Sequence, residues 1–177
     1  MAKRMVDILI IGAGPYGLAM AAQAHRAGLD YLIAGDTMSF WRDHMPAGMF
    51  LRSVCDWHLD PANVYSIDAY LETLGLSPSE VEPLSLEFYL GYAEWFRRQN
   101  GIAPLADRVI QLDQALHGRY IATLTSGDVL AARRVVIALG FGAFRIFPMI
   151  WRAFCRPEPT DTPAAKWIFC RTQVSAC

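Results

Sequence analysis

The stretch that decides the fold is Val6-Asp7-Ile8-Leu9-Ile10-Ile11-Gly12-Ala13-Gly14-Pro15-Tyr16-Gly17. Its first half is almost wholly apolar, which is typical of a strand buried on both faces in a parallel sheet. Its second half is a GxGxxG motif that opens an alanine-rich, helix-compatible segment ending at Gly28. A second apolar run, Tyr31 to Ala34, completes a βαβ unit. We therefore predict an α/β, Rossmann-like domain around a parallel sheet.

The glycine motif predicts a dinucleotide-binding turn, because it follows a strand pattern and begins a helix. Gly12 permits the sharp turn, Gly14 lets the backbone approach a pyrophosphate, and Gly17 lets the helix pack closely on the strand. Pro15 and Tyr16 open the helix, whose N-terminus supplies amide donors and partial positive charge for phosphates. The alternative is a glycine-rich turn without a ligand.

A ribose acceptor is expected about 20 residues after the motif, at the end of the second strand. That position carries Gly35, and Asp36 follows one residue late. Either Asp36 reaches the ribose from a shifted turn, or backbone and water make that contact. Without a ligand, Asp36 would be a solvated loop acid or a cap.

The middle of the chain combines an irregular segment with two predicted helices. Residues Ser39 to Ser66 have no clean period and are rich in aromatic, basic and methionine residues, which predicts a long ordered loop with a short helix. One helix is predicted over Asp68 to Leu74, and another follows the N-cap Ser85 and ends at Gly101. The apolar face of this second helix favours core packing over cofactor stacking; its members are Leu86, Tyr89, Leu90, Ala93 and Phe96.

From Arg108 the hydrophobic period changes to two. Runs at Arg108 to Asp113, Arg119 to Thr125 and from Val129 onward predict a small antiparallel meander. The third run leads into the apolar Val135 to Gly140, which predicts a strand returning to the parallel sheet.

Charge and composition exclude several classes of protein. The 16 basic and 17 acidic side chains form no like-charged block, so neither nucleic acid nor an anionic membrane surface is an expected partner. Glycines and Pro15 interrupt the apolar N-terminal run, which argues against an export signal or a membrane helix, and the cytoplasm is the expected compartment. The four cysteines lack metal-ligand spacing, so reduced thiols and no metal site are expected. Neither the substrate nor the oligomeric state follows from the sequence.

Four segments together resemble FAD- and NAD(P)H-dependent oxidoreductases of the flavin-containing monooxygenase type; in chain order they are Asp7 to Leu18, Ser39 to Ser53, Phe88 to Phe96 and Val135 to Gly140. The resemblance implies FAD as cofactor and NAD(P)H as co-substrate. It also implies that Trp41 lies along the flavin and that Ala138 and Gly140 touch the FAD.

The meander supports FAD over NAD, since flavoproteins of this type insert a small antiparallel sheet where a plain NAD-binding unit would continue with alternating helix and strand. Val109 would then offer its backbone to the adenine, or serve only as an ordinary strand valine.

The resemblance implies hydride transfer from NADPH to FAD and transfer of one oxygen atom to a nucleophilic substrate, chemistry that the cofactor carries. No side chain is identified as a catalytic acid, base or nucleophile. His44 and His58 are expected to be surface or packing residues. Ser53 has neither a G-x-S-x-G turn nor an identifiable base, so we reject nucleophilic catalysis.

The domain prediction is an FAD-binding domain over residues 1–147 and a divergent tail over residues 148–177. The tail has no persistent period, and no second GxGxxG, which the complete family uses for NADPH, follows the returning strand. We therefore expect the FAD-binding part of a longer enzyme. The alternatives are a single-domain dinucleotide-binding module without catalysis, or a non-functional fragment.

Overall fold

A computed structural model describes residues 5–115 and 118–140. They belong to the first of two units into which the chain divides, Met1–Ala143 and Phe144–Cys177. The predicted tail lies outside the described residues. The strands are β1 (Met5–Ile11), β2 (Tyr31–Ala34), β3 (Val109–Ala115), β4 (Arg119–Leu124) and β5 (Val129–Ile137). The helices are α1 (Pro15–Arg26), α2 (Ser39–His44), α3 (Ile67–Leu74), α4 (Pro78–Val81) and α5 (Leu86–Gln99).

The strands form one mixed sheet in the order β2-β1-β5-β4-β3. β1 lies parallel to β2 and to β5, with Ile11 opposite both Ala34 and Ile137. The antiparallel pairs are β4 with β5 and β3 with β4. The predicted fold class is confirmed: an α/β Rossmann-like domain with a parallel sheet and an antiparallel meander.

The meander is not a separate sheet, because β5 belongs to both pairings. Its residues Val129–Ala132 pair with β4, whereas Ala131–Ile137 pair with β1 along the other edge. The third meander strand and the returning strand, which the sequence suggested as successive runs, are therefore one continuous strand.

Helix α1 forms and ends where its sequence predicts. Pro15 occupies the first turn, where its missing amide costs no hydrogen bond, and Gly28 follows the helix with a φ of 65°. Leu18, Ala21 and Ala22 are fully buried against the sheet. The small Ala21 and Ala22 side chains allow the helix to lie close to the sheet.

Helix α5 supplies the aromatic core on the same side of the sheet. The Ser85 hydroxyl accepts a hydrogen bond from the Phe88 amide at 3.1 Å, as the predicted N-cap requires. The buried face differs from the prediction at two positions: Tyr92 is buried, and Leu90 is only half-buried. Tyr92 is drawn inside because its hydroxyl accepts from the Leu59 amide and donates to the Tyr65 carbonyl, both at 2.9 Å.

No helix within residues 5–115 and 118–140 is long and apolar enough to cross a membrane.

Candidate functional site

A cleft of about 1060 Å³ opens at the carboxyl ends of β1, β2 and β5. β1 lies between β2, which follows it in the chain, and β5, which closes the described region. The chain thus places its second strand on one side of β1 and a later strand, β5, on the other side. Such a switch point is where open α/β sheets bind their ligands.

The glycine loop, Gly12–Gly17, forms the floor of the cleft and contacts the backbone of β5's end. Gly12 has a φ of 109°, and a Cβ there would lie 2.3 Å from the Ala138 carbonyl oxygen. A Cβ on Gly17 would lie 1.9 Å from the Gly12 carbonyl oxygen. Both positions therefore need glycine, because a side chain at either would collide with a backbone carbonyl group. The sequence predicted close packing at Gly17 and a sharp turn at Gly12; the contact of Gly12 with Ala138 was not predicted.

Gly14 differs from its two neighbours, because a Cβ built there would meet no atom within 4 Å. Its φ of −79° is one that any residue adopts, so neither strain nor packing in the protein requires glycine at this position. Gly14 is the N-cap of α1, and no side chain caps the helix. The first-turn amides and the positive end of the helix thus face the cleft, which suits an anion.

Gly35 explains why the acid at the end of β2 comes one residue late. Its φ is 131°, and a Cβ would lie 3.4 Å from both the Gly12 Cα and the Ala13 amide nitrogen. A side chain at this position would be strained and would press on the glycine loop. Asp36 therefore provides the first side chain after β2, and it lines the cleft.

Asp36 forms an ion pair across the mouth of the cleft. The Arg108 Nη2 donates to Asp36 Oδ2 at 3.1 Å, joining the second residue after β2 to the residue before β3. The side chains are 75% and 37% exposed for arginine and aspartate, so the pair is weakly held and can rearrange.

The opposite wall of the cleft is aromatic. Trp41, on α2, packs on Tyr89 of α5 with ring centroids 5.0 Å apart. Burial and the nearby Tyr16 hydroxyl raise the pKa of Tyr89 to about 12, so this phenol is neutral at physiological pH. Trp41 is partly buried and packs against the hydrophobic core through this contact with Tyr89.

The returning strand reaches the cleft through its last residues. The Ala138 amide donates to the Ile11 carbonyl at 2.8 Å, which holds this segment against the glycine loop. Ala138 and Gly140 line the cleft, and Val109 lines it at the start of β3.

Nine of the ten residues predicted to bind the cofactor therefore line one cleft; they are Gly12, Gly14, Pro15, Tyr16, Asp36, Trp41, Val109, Ala138 and Gly140. Gly17 does not line it but lies buried beneath, where it packs on Gly12. Their binding of a cofactor stays a prediction.

Asp60, which was not among the residues predicted from the sequence, organises the wall next to the aromatic segment. Asp60 is 1% exposed and accepts hydrogen bonds from the amides of Ala62, Val64 and Tyr65 and from the Arg26 guanidinium. Burial opposes its ionisation, but these hydrogen bonds outweigh burial and hold the pKa of the carboxyl well below its ordinary range. The Asp60-Pro61 pair was the available signal, since aspartate before proline favours a turn in which the carboxylate binds following amides.

His44, Ser53 and His58 also line the cleft. The His58 Nδ1 accepts a hydrogen bond from the Asp60 amide at 3.2 Å, which gives this ring a structural role. Across residues 5–115 and 118–140, no group of three or more His, Cys, Asp or Glu side chains is arranged to hold a metal.

The fold is shared with solved flavoprotein structures. A bacillithiol disulfide reductase from Staphylococcus aureus matches at 25% identity and a TM-score of 0.59, covering 77% of this chain and 39% of that protein. A flavin-containing monooxygenase from Stenotrophomonas maltophilia matches at 23% identity and a TM-score of 0.62, covering 77% and 38%. A protein called OTEMO, crystallised with FAD and NADP, matches at 19% identity and a TM-score of 0.56, covering 78% and 26%.

No protein-family model matches the chain. The resemblance noted in the sequence is confirmed at the level of the fold, because the structural neighbours are flavoprotein reductases and monooxygenases. The chain spans about two-fifths of the length of the first two of these proteins.

Proposed function

We propose that this chain binds FAD in the cleft and acts as the FAD-binding part of an NAD(P)H-dependent flavoprotein oxidoreductase of the monooxygenase type. The observation that carries the proposal is Gly14. Gly12 and Gly17 are needed to pack the protein, whereas Gly14 faces open space at an uncapped helix N-terminus. A glycine at that point serves a ligand whose phosphates approach the backbone closely.

The residues of the cleft fit a flavin dinucleotide along its whole length. The amides at the start of α1 would hold the diphosphate, Asp36 would bind the ribose, and the Val109 backbone would meet the adenine. Trp41 and the Ala138–Gly140 segment would lie at the flavin end. The volume of about 1060 Å³ is at the upper limit of the roughly 300–1,000 Å³ of common ligand sites, as an extended dinucleotide requires.

When bound, FAD would supply hydride and oxygen-transfer chemistry. The protein's own contribution is to hold the cofactor and to exclude water on the apolar wall that Trp41, Leu51 and Leu59 form. NAD(P)H as the reductant, and the complete monooxygenase activity, belong to this proposal because the structural neighbours are more than twice the length of the matched region. The cytoplasmic location stays a prediction.

A dinucleotide-binding module without catalysis is the second candidate. The described residues contain one glycine-rich turn, and the two histidines of the cleft are not paired with a nucleophile. Anaerobic addition of NADPH to the FAD-loaded chain tests for catalysis: bleaching of the visible flavin absorbance would exclude the module.

The binding proposal is tested by titrating the full chain with FAD, followed by flavin fluorescence and calorimetry. We expect Gly14→Val to abolish measurable binding, because the new methyl groups occupy the position of the phosphates while the backbone conformation stays allowed. Gln23→Val is the matched control, since Gln23 is on the exposed face of α1 and does not line the cleft. Equal FAD affinity in Gly14→Val and the control would refute the proposal.

A further inference from the structure

His58 lies in the wall of the cleft, and the backbone fixes the hydrogen-bonding pattern of its ring. The Asp60 amide donates to His58 Nδ1 at 3.2 Å. A ring nitrogen that accepts a hydrogen bond carries no proton, so the neutral imidazole carries its proton on Nε2. The fold therefore makes Nε2 of this ring a hydrogen-bond donor.

This Nε2 donor has no partner within the described part of the chain. The bond from the Asp60 amide is the one hydrogen bond of His58 among residues 5–115 and 118–140. No buried side-chain nitrogen or oxygen atom in those ranges lacks a partner, so the unpaired Nε2 is accessible rather than buried. Because the ring lines the cleft, a ligand bound there can accept from this N–H.

The turn at Asp60 holds the imidazole in place. Asp60 is 1% exposed, and its carboxylate accepts hydrogen bonds from the amides of Ala62, Val64 and Tyr65. The amide of the same Asp60 orients His58, so the donor lies on a well-anchored part of the wall. A donor that is fixed before the ligand binds loses little conformational entropy on binding.

His58 belongs to the flavin end of the proposed site. The next amide along the chain, that of Leu59, donates to the Tyr92 hydroxyl at 2.9 Å. The Tyr92 ring lies 6.5 Å from the ring of Tyr89, which packs on Trp41. The backbone beside His58 is thus tied to the aromatic wall that carries Trp41, where the flavin ring would lie.

We propose that His58 binds the flavin ring of FAD by donating a hydrogen bond from Nε2 to a carbonyl oxygen or an unprotonated nitrogen of that ring. The inference rests on the proposed function and deepens it, because it adds a binding residue that the sequence motifs did not include. It also divides the site between its two ends: the amides at the start of α1 would hold the diphosphate, whereas His58 recognises the ring.

Two substitutions separate the two nitrogens of His58. His58→Asn keeps an acceptor near the position of Nδ1 for the Asp60 amide but removes the donor at Nε2. His58→Gln keeps an N–H near the position of Nε2 but loses the acceptor. The full chain is titrated calorimetrically with FAD and with ADP, which has the adenosine and the diphosphate of FAD but no flavin ring.

We expect His58→Asn to weaken FAD binding about fivefold, the contribution of one neutral hydrogen bond, and to leave the affinity for ADP unchanged. His58→Gln should bind FAD more tightly than His58→Asn. The matched control is His25→Asn, since His25 is exposed on α1 and does not line the cleft. Its affinities for both ligands should equal those of the wild type.

Nitrogen NMR of the wild-type chain with isotope-labelled histidine gives a second measurement, which does not depend on the folding of a variant. His58 should carry its proton on Nε2, and its Nε2 signal should shift on addition of FAD but not of ADP. A proton on Nδ1, or an Nε2 signal that FAD does not move, would overturn the proposal.

The affinities also distinguish failure of this contact from failure of the FAD site. If the wild type binds FAD and His58→Asn binds it within twofold as tightly, or His58→Gln binds it no more tightly than His58→Asn, the contact is refuted while the FAD site stands. Equal weakening of FAD and ADP binding in His58→Asn would mean that His58 acts through the fold of the wall, and would also refute the contact. If the wild-type chain does not bind FAD, the proposed function fails, and the contact fails with it.

Discussion

At the scale of single residues, the glycine loop shows that one residue type is required for different reasons. Gly12 and Gly17 have no room for a Cβ, since each would collide with a carbonyl group of the protein itself. At Gly14 a Cβ would contact no protein atom, so the packing of the protein itself does not require glycine there. Substitutions in this loop therefore separate stability from ligand binding.

Gly17→Ala should destabilise the domain by about 3 kcal/mol, the upper range for overpacking, because the new Cβ would lie 1.9 Å from the Gly12 carbonyl oxygen. Urea unfolding followed by tryptophan fluorescence measures the loss. The control is Gly14→Ala, where a Cβ meets nothing within 4 Å. Its only cost is a poorer N-cap, less than about 1 kcal/mol. Equal stability of the two variants would contradict the backbone contact between α1 and the end of β1.

At the scale of elements, β5 and α5 are each positioned by contacts with neighbouring residues and by contacts with segments far away in the sequence. β5 carries antiparallel pairing on one edge and parallel pairing on the other, and so attaches the meander to the β1–β2 unit. Helix α5 begins at a serine cap and packs its aromatic face on the core. The position of Tyr89, and with it the wall of the cleft at Trp41, depends on this helix.

Ser85→Ala should lower the free energy of unfolding by about 1 kcal/mol, because the Phe88 amide loses its acceptor at the start of α5. Thermal unfolding by circular dichroism is the measurement. Ser77→Ala is the comparison, since Ser77 caps α4, which has four residues and no buried side chain. This substitution should lower the free energy of unfolding by less than half as much. A larger loss at Ser77 than at Ser85 would show that α4, and not α5, stabilises this side of the domain.

At the scale of the whole molecule, one ion pair between the buried Asp60 and the partly exposed Arg26 links three segments that are far apart in sequence. Arg26, at the end of α1, donates to Asp60 in the irregular segment, and its Nη2 lies 3.4 Å from Asn100 Oδ1 at the end of α5. The pair thus connects the helix that carries the glycine loop with the wall of the cleft that follows α2. Loss of Arg26 would leave the Asp60 carboxylate buried without its cationic partner.

Asp60→Asn should destabilise the protein by about 2 kcal/mol at pH 7, because the buried carboxylate loses charge-assisted hydrogen bonds from the Arg26 guanidinium and three backbone amides. Because the folded state lowers the pKa of Asp60 from its ordinary value of 3.8, the carboxylate's contribution is complete above that pH and is lost as the pH falls below it. The difference in the free energy of unfolding between the wild type and Asp60→Asn should therefore become smaller as the pH falls from 5 to 2. Urea unfolding at several pH values measures it.

The control for this change is Asp43→Asn, which removes an exposed pair with the adjacent Arg42 and should cost under about 1 kcal/mol at every pH. If the difference in the free energy of unfolding between the wild type and Asp60→Asn does not vary with pH, the Asp60 side chain stabilises the protein through its shape rather than its charge.

Much of the fold could be predicted because its signals are local. The apolar run of β1, the glycine loop, the end of α1 at Gly28 and the Ser85 cap each depend on neighbours a few residues away. The same local motif predicted where a diphosphate would bind, since a strand, a glycine turn and a helix N-terminus are consecutive in the chain. Asp36 lines the cleft, and its binding of a ribose stays a prediction; the sequence offered no reason for its late position.

The sequence by itself determined the βαβ unit, the meander and the residues of the glycine loop, because backbone hydrogen bonding and hydrophobic period are set by adjacent residues. Only the tertiary structure decided that β5 is one strand, that Gly35 must be glycine, that Arg108 holds Asp36 and that Asp60 joins α1 to the cleft wall. Each of these depends on two segments meeting in space, and no pattern within one segment specifies its distant partner.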